Sequence, residues 1–154
     1  MPEIFQYQTG SNILWIKPWS EQYPNIAAGF TTRFGGCSKS PYYSNNFGLH
    51  VGDKSVDAVK NRQQLAKQLN ISLDKWVMGE QVHHHHVETI TRNHAGRGAI
   101  TKEDAVENTD GLFTKEKNIL CAALFADCVP LYFWIMTRKW LLFLMQDGRE
   151  QWQI

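Results

Sequence analysis

The sequence predicts a mixed α/β fold of α+β layers, with one helix among several short strands. Three observations carry that expectation: one stretch with apolar residues at helical spacing, several short runs rich in β-branched and aromatic residues, and glycine-rich or polar breaks between them. Residues 26–32 are apolar and β-rich and stop at Gly35 and Gly36, which reads as a strand entering a loop. Residues 37–53 are a long polar loop carrying Pro41, Asn45, Asn46, Gly48 and Gly52. A loop of that length without periodicity is more often functional than a plain connector. Ser55 then caps a helix to about Asn70, with Ala58, Leu65, Ala66 and Leu69 on one face, the pattern of core packing. Residues 76–82, 87–91, 111–114, 119–125 and 130–134 read as further strands, separated by AlaGlyArgGly at 95–98 and by polar stretches. No repeat, low-complexity segment or linker divides the chain, so residues 1–154 are expected to form one domain.

Composition narrows the functional classes. Of the 154 residues 43% are hydrophobic and 20% charged, as in ordinary soluble globular proteins. Sixteen basic against fifteen acidic side chains leave a formal charge of +1, so no bulk field draws nucleic acid or an acidic membrane. Small or locally bound partners fit better. Cys37, Cys121 and Cys128 are odd in number and lack CxxC spacing, which points to reduced thiols of a cytoplasmic protein. The first residues lack a basic segment followed by an apolar one, and no run approaches 18 apolar residues.

Two segments carry the candidate chemistry. GluGlnValHis at 80–83 and AlaAspCysValPro at 126–130 each border a short apolar run, so strand ends can aim the His83 imidazole and the Cys128 thiolate at one metal. A catalytic zinc site takes at least three protein ligands, and these segments supply two. If residues 83–86, all histidine, lie on a strand, alternation lets at most two of them share a ligand sphere. A cysteine after an apolar strand is usually a small buried hydrophobe. Asp127 shifts that balance, since a carboxylate is costly to bury beside the thiol without purpose. Arg33, in ThrThrArgPheGlyGly at 31–36, can hold an anion such as phosphate or simply be solvated. Residues 44–53 offer amide and imidazole groups suited to a base or ribose, or else form a turn-rich loop whose Asn and Asp bond their own backbone. His50 reads as a structural histidine.

In this order, ThrThrArgPheGlyGly, ProTyrTyrSerAsnAsnPheGlyLeuHisValGlyAsp, ValLysAsnArg, GluGlnValHis and AlaAspCysValPro resemble the laccase-domain family, whose bacterial members are described as cytosolic purine nucleoside phosphorylases. The resemblance covers about residues 26–134. It implies an α/β fold with a zinc site made by the GlnValHis histidine, the AlaAspCys cysteine and a histidine in a later HisAlaGlyTrp motif. The first two fall on His83 and Cys128; His84, His85 and His86 inherit no role. For an intact chain it implies phosphorolysis of adenosine, inosine or guanosine, adenosine deamination, and purine nucleosides and phosphate as partners. An open zinc position would lower the pKa of bound water to near ~7 for attack at purine C6, or orient phosphate. Within that reading Arg33 is assigned to phosphate, Asn46 to the nucleoside, and Asp127 and Gln81 to orienting the ligands. The family's older description, multicopper polyphenol oxidase, is the rival. Such chemistry needs several copper centres, and this chain has six histidines, four of them consecutive. Copper can still enter the same site, because Cu(II) outcompetes Zn(II) for comparable ligands. A third reading is a non-catalytic fragment.

No HisAlaGlyTrp motif occurs in the chain as written. Back-translation from the last base of the Leu144 codon through Trp152 gives NAT, GCA, GGA or AGA, and TGG or CGG, with AAG, GGA, ACA and GTG available next. The shifted frame can therefore read HisAlaGlyTrpLysGlyThrVal, and its alanine codon is forced. Upstream, through Arg138, Lys139 and Trp140, the same frame permits LysValValAlaValSer, an alternating β-branched strand. Residues 135–154 are accordingly expected to be an out-of-frame tail, set off by an insertion or deletion near the Trp134 codon, with the C-terminal part of the fold missing. The restored histidine would lie about 17 residues after Cys128, within reach of consecutive strands. Losing the strands beyond Trp134 is expected to leave a sheet edge unpaired and apolar surface exposed. Resequencing the coding DNA from the Asp127 codon onward should reveal one gained or lost base and an open HisAlaGlyTrp frame; an unaltered frame would refute the shift.

Overall fold

The computed structural model describes residues 3–7 and 10–146. The end of the expected tail, residues 147–154, lies outside the described residues. The chain divides into two compact units, Met1–Gln64 and Leu65–Ile154. Both contain β-strands, so the mixed α/β expectation holds, with several small sheets and few helices.

In the first unit, β1 (Phe5–Tyr7), β2 (Ile13–Ile16) and β3 (Gly29–Thr31) form an antiparallel sheet in that order, with α1 (Lys17–Gln22) following β2 directly. Phe5 pairs with Ile16, and Leu14 faces both Tyr7 and Phe30. Ile13 and Ile16, the two ends of β2, and Ala28, just before β3, are buried. The strand expected over residues 26–32 contracts to Gly29–Thr31. β1, β2 and α1 had no expectation at all, because strands of three or four residues hold too few alternations to signal themselves.

α2 (Ser55–Leu69) agrees with the helical periodicity, although Ser55 is its first residue rather than a preceding cap. Ala58 and Ala66 are buried as expected, yet the same helix also buries two polar side chains, Asn61 and Arg62, at 0% and 2% exposure. Both reach into the long loop. The Asn61 carboxamide accepts from the Cys37 N–H at 2.8 Å and donates to Ser38 Oγ at 3.0 Å and to the Asn46 carbonyl at 2.7 Å. The Arg62 guanidinium donates through Nε to the Phe47 carbonyl at 2.9 Å. Burial lowers its pKa to about 10, which leaves it cationic at neutral pH. The glycine pair has a steric reason as well: a Cβ on Gly36 would collide with the Ser44 carbonyl and the Asn45 backbone.

In the second unit, β4 (Trp76–Met78) lies parallel to β7 (Leu120–Ala122), and β5 (Val87–Ile90), β6 (Gly111–Thr114), β8 (Val129–Ile135) and β9 (Trp140–Gln146) form a sheet ordered β5-β6-β9-β8. β4 is buried on both faces, which explains its unbroken apolar run. Trp76 packs with Ala66 and Ala99, and its indole N–H donates to the Ile71 carbonyl at 3.0 Å. Val77 points the other way, into a cluster with Ile90, Val106 and Leu112.

Two strands of this unit are several residues shorter than expected. The strand expected over 76–82 stops at Met78, and that over 119–125 shrinks to Leu120–Ala122. Residues 83–86 lie in a loop, so strand alternation does not govern the histidines; all four are exposed. The expected tail contributes β9, which pairs with β6 on one side and β8 on the other. The sheet edges therefore fall on β5 and on β8, and on β8 Val129, Phe133 and Ile135 are exposed. Among the described residues no helix is long and apolar enough to cross a membrane.

Cys121 packs against the Val77 cluster, and burial pushes its thiol up to about 12. The folded chain then holds a proton between pH 9 and 12 that the unfolded chain releases, so stability falls as pH rises through that window. Urea titrations should show Cys121→Ala removing a slope of up to about 1.4 kcal/mol per pH unit there, and no part of it below pH 8.

Candidate functional site

The site is built where the chain leaves β4. Gly79 bridges to Val106, the Glu80 N–H donates to the Val106 carbonyl at 2.8 Å, and the Thr109 N–H returns to the Glu80 carbonyl at 2.9 Å. This pins the start of the His83 loop beside the approach to β6. Next comes Asp110, only 4% exposed. Its Oδ1 accepts the N–H groups of Val82 at 3.0 Å and His83 at 2.9 Å, and its Oδ2 accepts that of His84 at 2.8 Å. The N–H groups of Asp110 and Gly111 close the loop from the other side by donating to the His86 carbonyl. His83 itself sits at φ +61°, in the left-handed region that non-glycine residues seldom occupy. The His86 imidazole pairs with Glu88 at 3.2 Å.

Cys128 arrives from the other direction. The Gln81 side chain spans the two segments, donating to the Leu124 carbonyl at 3.0 Å and accepting the Leu124 N–H at 2.8 Å. Phe125 stacks edge-to-face on Phe143 of β9, with centroids 5.4 Å apart. The AlaAspCys segment is thus held to the His83 loop by Gln81 and to the sheet by Phe125, and Cys128, half-buried, directly precedes β8. Strand register explains the convergence. Val87 pairs in parallel with Gly111, Gly111 faces Leu144, and Pro130 and Val129 face Met145 and Gln146. The starts of β5, β6 and β8 and the end of β9 therefore meet at one end of the sheet. Asp127 is exposed, which removes the argument that it is buried for a purpose.

Whether these donors fit a metal is decided by their number. Among the described residues no group of three or more His, Cys, Asp or Glu side chains could hold one. His83 and Cys128 are two suitable donor types, one short of the minimum for a catalytic zinc centre, so the described residues do not complete such a site.

Arg33 and Asn46 belong to the first unit. The Arg33 side chain is exposed and donates through Nη2 to the Tyr43 carbonyl at 2.9 Å, while its own carbonyl accepts from the N–H groups of Ser44 and Asn45. The Asn46 carboxamide is engaged within its loop: Oδ1 accepts the Gly48 N–H at 2.9 Å, and Nδ2 donates to Asp53 Oδ2 at 3.0 Å. That is the turn-building arrangement anticipated as the alternative to ligand binding. His50 is exposed.

The family model described as "Multi-copper polyphenol oxidoreductase laccase" matches residues 27–141. The chain belongs to this family. It is 40% identical to a Bacillus subtilis protein named purine nucleoside phosphorylase YlmD, across 92% of this chain and 55% of that protein. The Geobacillus stearothermophilus protein of the same name is 44% identical across 86% of this chain and 47% of its own length. The crystal structure of YlmD from Geobacillus stearothermophilus superposes with a TM-score of 0.88 at 39% identity, covering 95% of this chain and 53% of that one. That of Bacillus licheniformis YfiH gives 0.86 at 35% identity. This chain spans about half the length of the curated relatives it matches.

Sequence reasoning passed over Asp110, Asn61 and Arg62. Asn61 and Arg62 lay within the recognised ValLysAsnArg motif, and the signal available was their position on the apolar face of α2. Asp110 offered one clue, a carboxylate directly preceding a strand whose other residues are apolar or small. A glycine relieves left-handed strain while alanine retains it. His83→Gly should therefore exceed His83→Ala in stability by about 1 kcal/mol in urea unfolding, both variants having lost the same imidazole.

Proposed function

We propose that this chain is the His/Cys-bearing part of a cytoplasmic purine nucleoside phosphorylase that acts on adenosine, inosine and guanosine with phosphate and also deaminates adenosine. In phosphorolysis a phosphate oxygen bonds to ribose C1′ as the C1′–N9 bond breaks and the purine takes up a proton. In deamination water adds at C6 and ammonia leaves. The observation that carries the reading is the convergence of the His83 loop and the Cys128 segment at one end of the sheet, in a chain whose relatives bear the phosphorylase name.

His83 and Cys128 are proposed as donors to zinc, with copper able to compete for the same pair. The proposed third donor is the histidine of the restored frame. That histidine corresponds to position 145, whose backbone pairs with Pro130, two residues beyond Cys128, and adjoins the Gly111–Leu144 pair that follows Asp110. Residues 1–154 would then be a single incomplete domain with an out-of-frame tail. Arg33, exposed and cationic, is proposed for phosphate and Asn46 for the nucleoside. Gln81 and Asp127 are proposed as orienting residues, and Gln81 has the hydrogen bonds to act by holding the Cys128 segment. The copper oxidase reading has the family description in its favour, and the fragment reading has the half-length coverage.

In the frame-restored protein, inosine with phosphate should release hypoxanthine, chelation should abolish that release, and His83→Ala or Cys128→Ala should lower kcat/KM by at least ~100-fold. Unchanged metal content and turnover in Cys128→Ala would sink the proposal; phenol oxidation without nucleoside turnover would favour the copper reading.

A further inference from the structure

We propose that Asp110 is the positioning residue of this site: its buried carboxylate gathers three successive amides and so fixes the backbone from which His83 projects. The inference rests on the reading of His83 as a functional donor.

Two features lead to it. A carboxylate at 4% exposure needs strong partners, and Asp110 has them in the N–H groups of Val82, His83 and His84 at 2.8–3.0 Å. Among the described residues no lysine or arginine forms an ion pair with it within 4.0 Å, so backbone amides rather than a counter-charge hold it. The second feature is the conformation it imposes. Three consecutive N–H groups can point at one carboxylate only if the chain curls around it, and His83, the middle residue, carries the positive φ. A glycine at that position would avoid the strain, and the chain has histidine instead, so strain is accepted where a side chain is presented. The same residue joins the loop to the sheet, since Gly111 opens β6 and faces both Val87 and Leu144. A shift of Asp110 would therefore move His83 relative to Cys128 without touching either side chain.

The test pairs two measurements on the full chain. Asp110→Asn keeps the size but leaves one oxygen for three amides. Hydrogen exchange at residues 82–84 should then accelerate at least ~10-fold beyond any change in the β5–β6 amides. The stability gap between His83→Gly and His83→Ala should also close in the Asp110→Asn background, because a loosened loop no longer enforces left-handed φ. In the frame-restored protein the same substitution should lower kcat for inosine phosphorolysis by about 10²-fold with KM nearly unchanged. Wild-type exchange at 82–84, or a glycine–alanine gap that persists without Asp110, overturns the proposal. So does full turnover in Asp110→Asn. If exchange and the gap respond as expected and the frame-restored parent shows no nucleoside turnover, positioning stands and the functional reading fails. Should Asp110→Asn prove too unstable, the glycine–alanine comparison in Asp110→Glu, whose longer arm misplaces the oxygens, supplies the same decision.

Discussion

A buried carboxylate that no lysine or arginine among the described residues pairs with is among the costlier groups a small domain can contain, and the loop at 82–84 is organised around one. Asp110 is tolerable only because three amides converge on it, and those amides can converge only if residues 82–84 abandon extended geometry. From that constraint follow the early end of β4, the looped histidines and the left-handed His83. Gln81, immediately before the curl, is thereby presented to Leu124, and its two hydrogen bonds bring in the segment that ends in Cys128.

The first unit meets a similar problem with a carboxamide. Asn61 has no exposed surface, and its oxygen and nitrogen together hold Cys37, Ser38 and Asn46 around the long loop. Arg62 adds a cation whose guanidinium donates to the Phe47 carbonyl. In both units, then, an irregular segment is shaped by a buried polar side chain from a regular element or its edge. A loop fixed this way loses less entropy on binding than one that must be ordered by its ligand.

The sequence made the class of fold, α2 and most of the second-unit strands legible, because those elements carry either helical spacing or uninterrupted β-branched and aromatic runs. It did not reveal β1, β2 or α1, whose few residues average out any period. The candidate site was legible as residue types: His83, Cys128 and Gln81 were singled out, and the three lie in segments joined by the Gln81–Leu124 bonds. What eluded sequence reasoning was the scaffold beneath them. Asp110 acts through backbone N–H groups, which every non-proline residue has, so nothing in the partners' identities advertises the contact. Asp127 illustrates the converse error. Its neighbours suggested burial, but the loop between β7 and β8 turns it outward.

The position of β9 has a consequence for the order in which the chain is made. β9 is the last described strand in sequence, yet it lies between β6 and β8 in space. Thr114, at the end of β6, is synthesised about 25 residues before Trp140, a delay of roughly 1–5 s at ordinary translation speeds. Through that interval β6 has β5 on one flank and no strand on the other, and β8 emerges with nothing to pair with. The ribosome therefore presents two open, apolar strand edges, and the nascent chain depends on β9 to join them before they find each other or another chain.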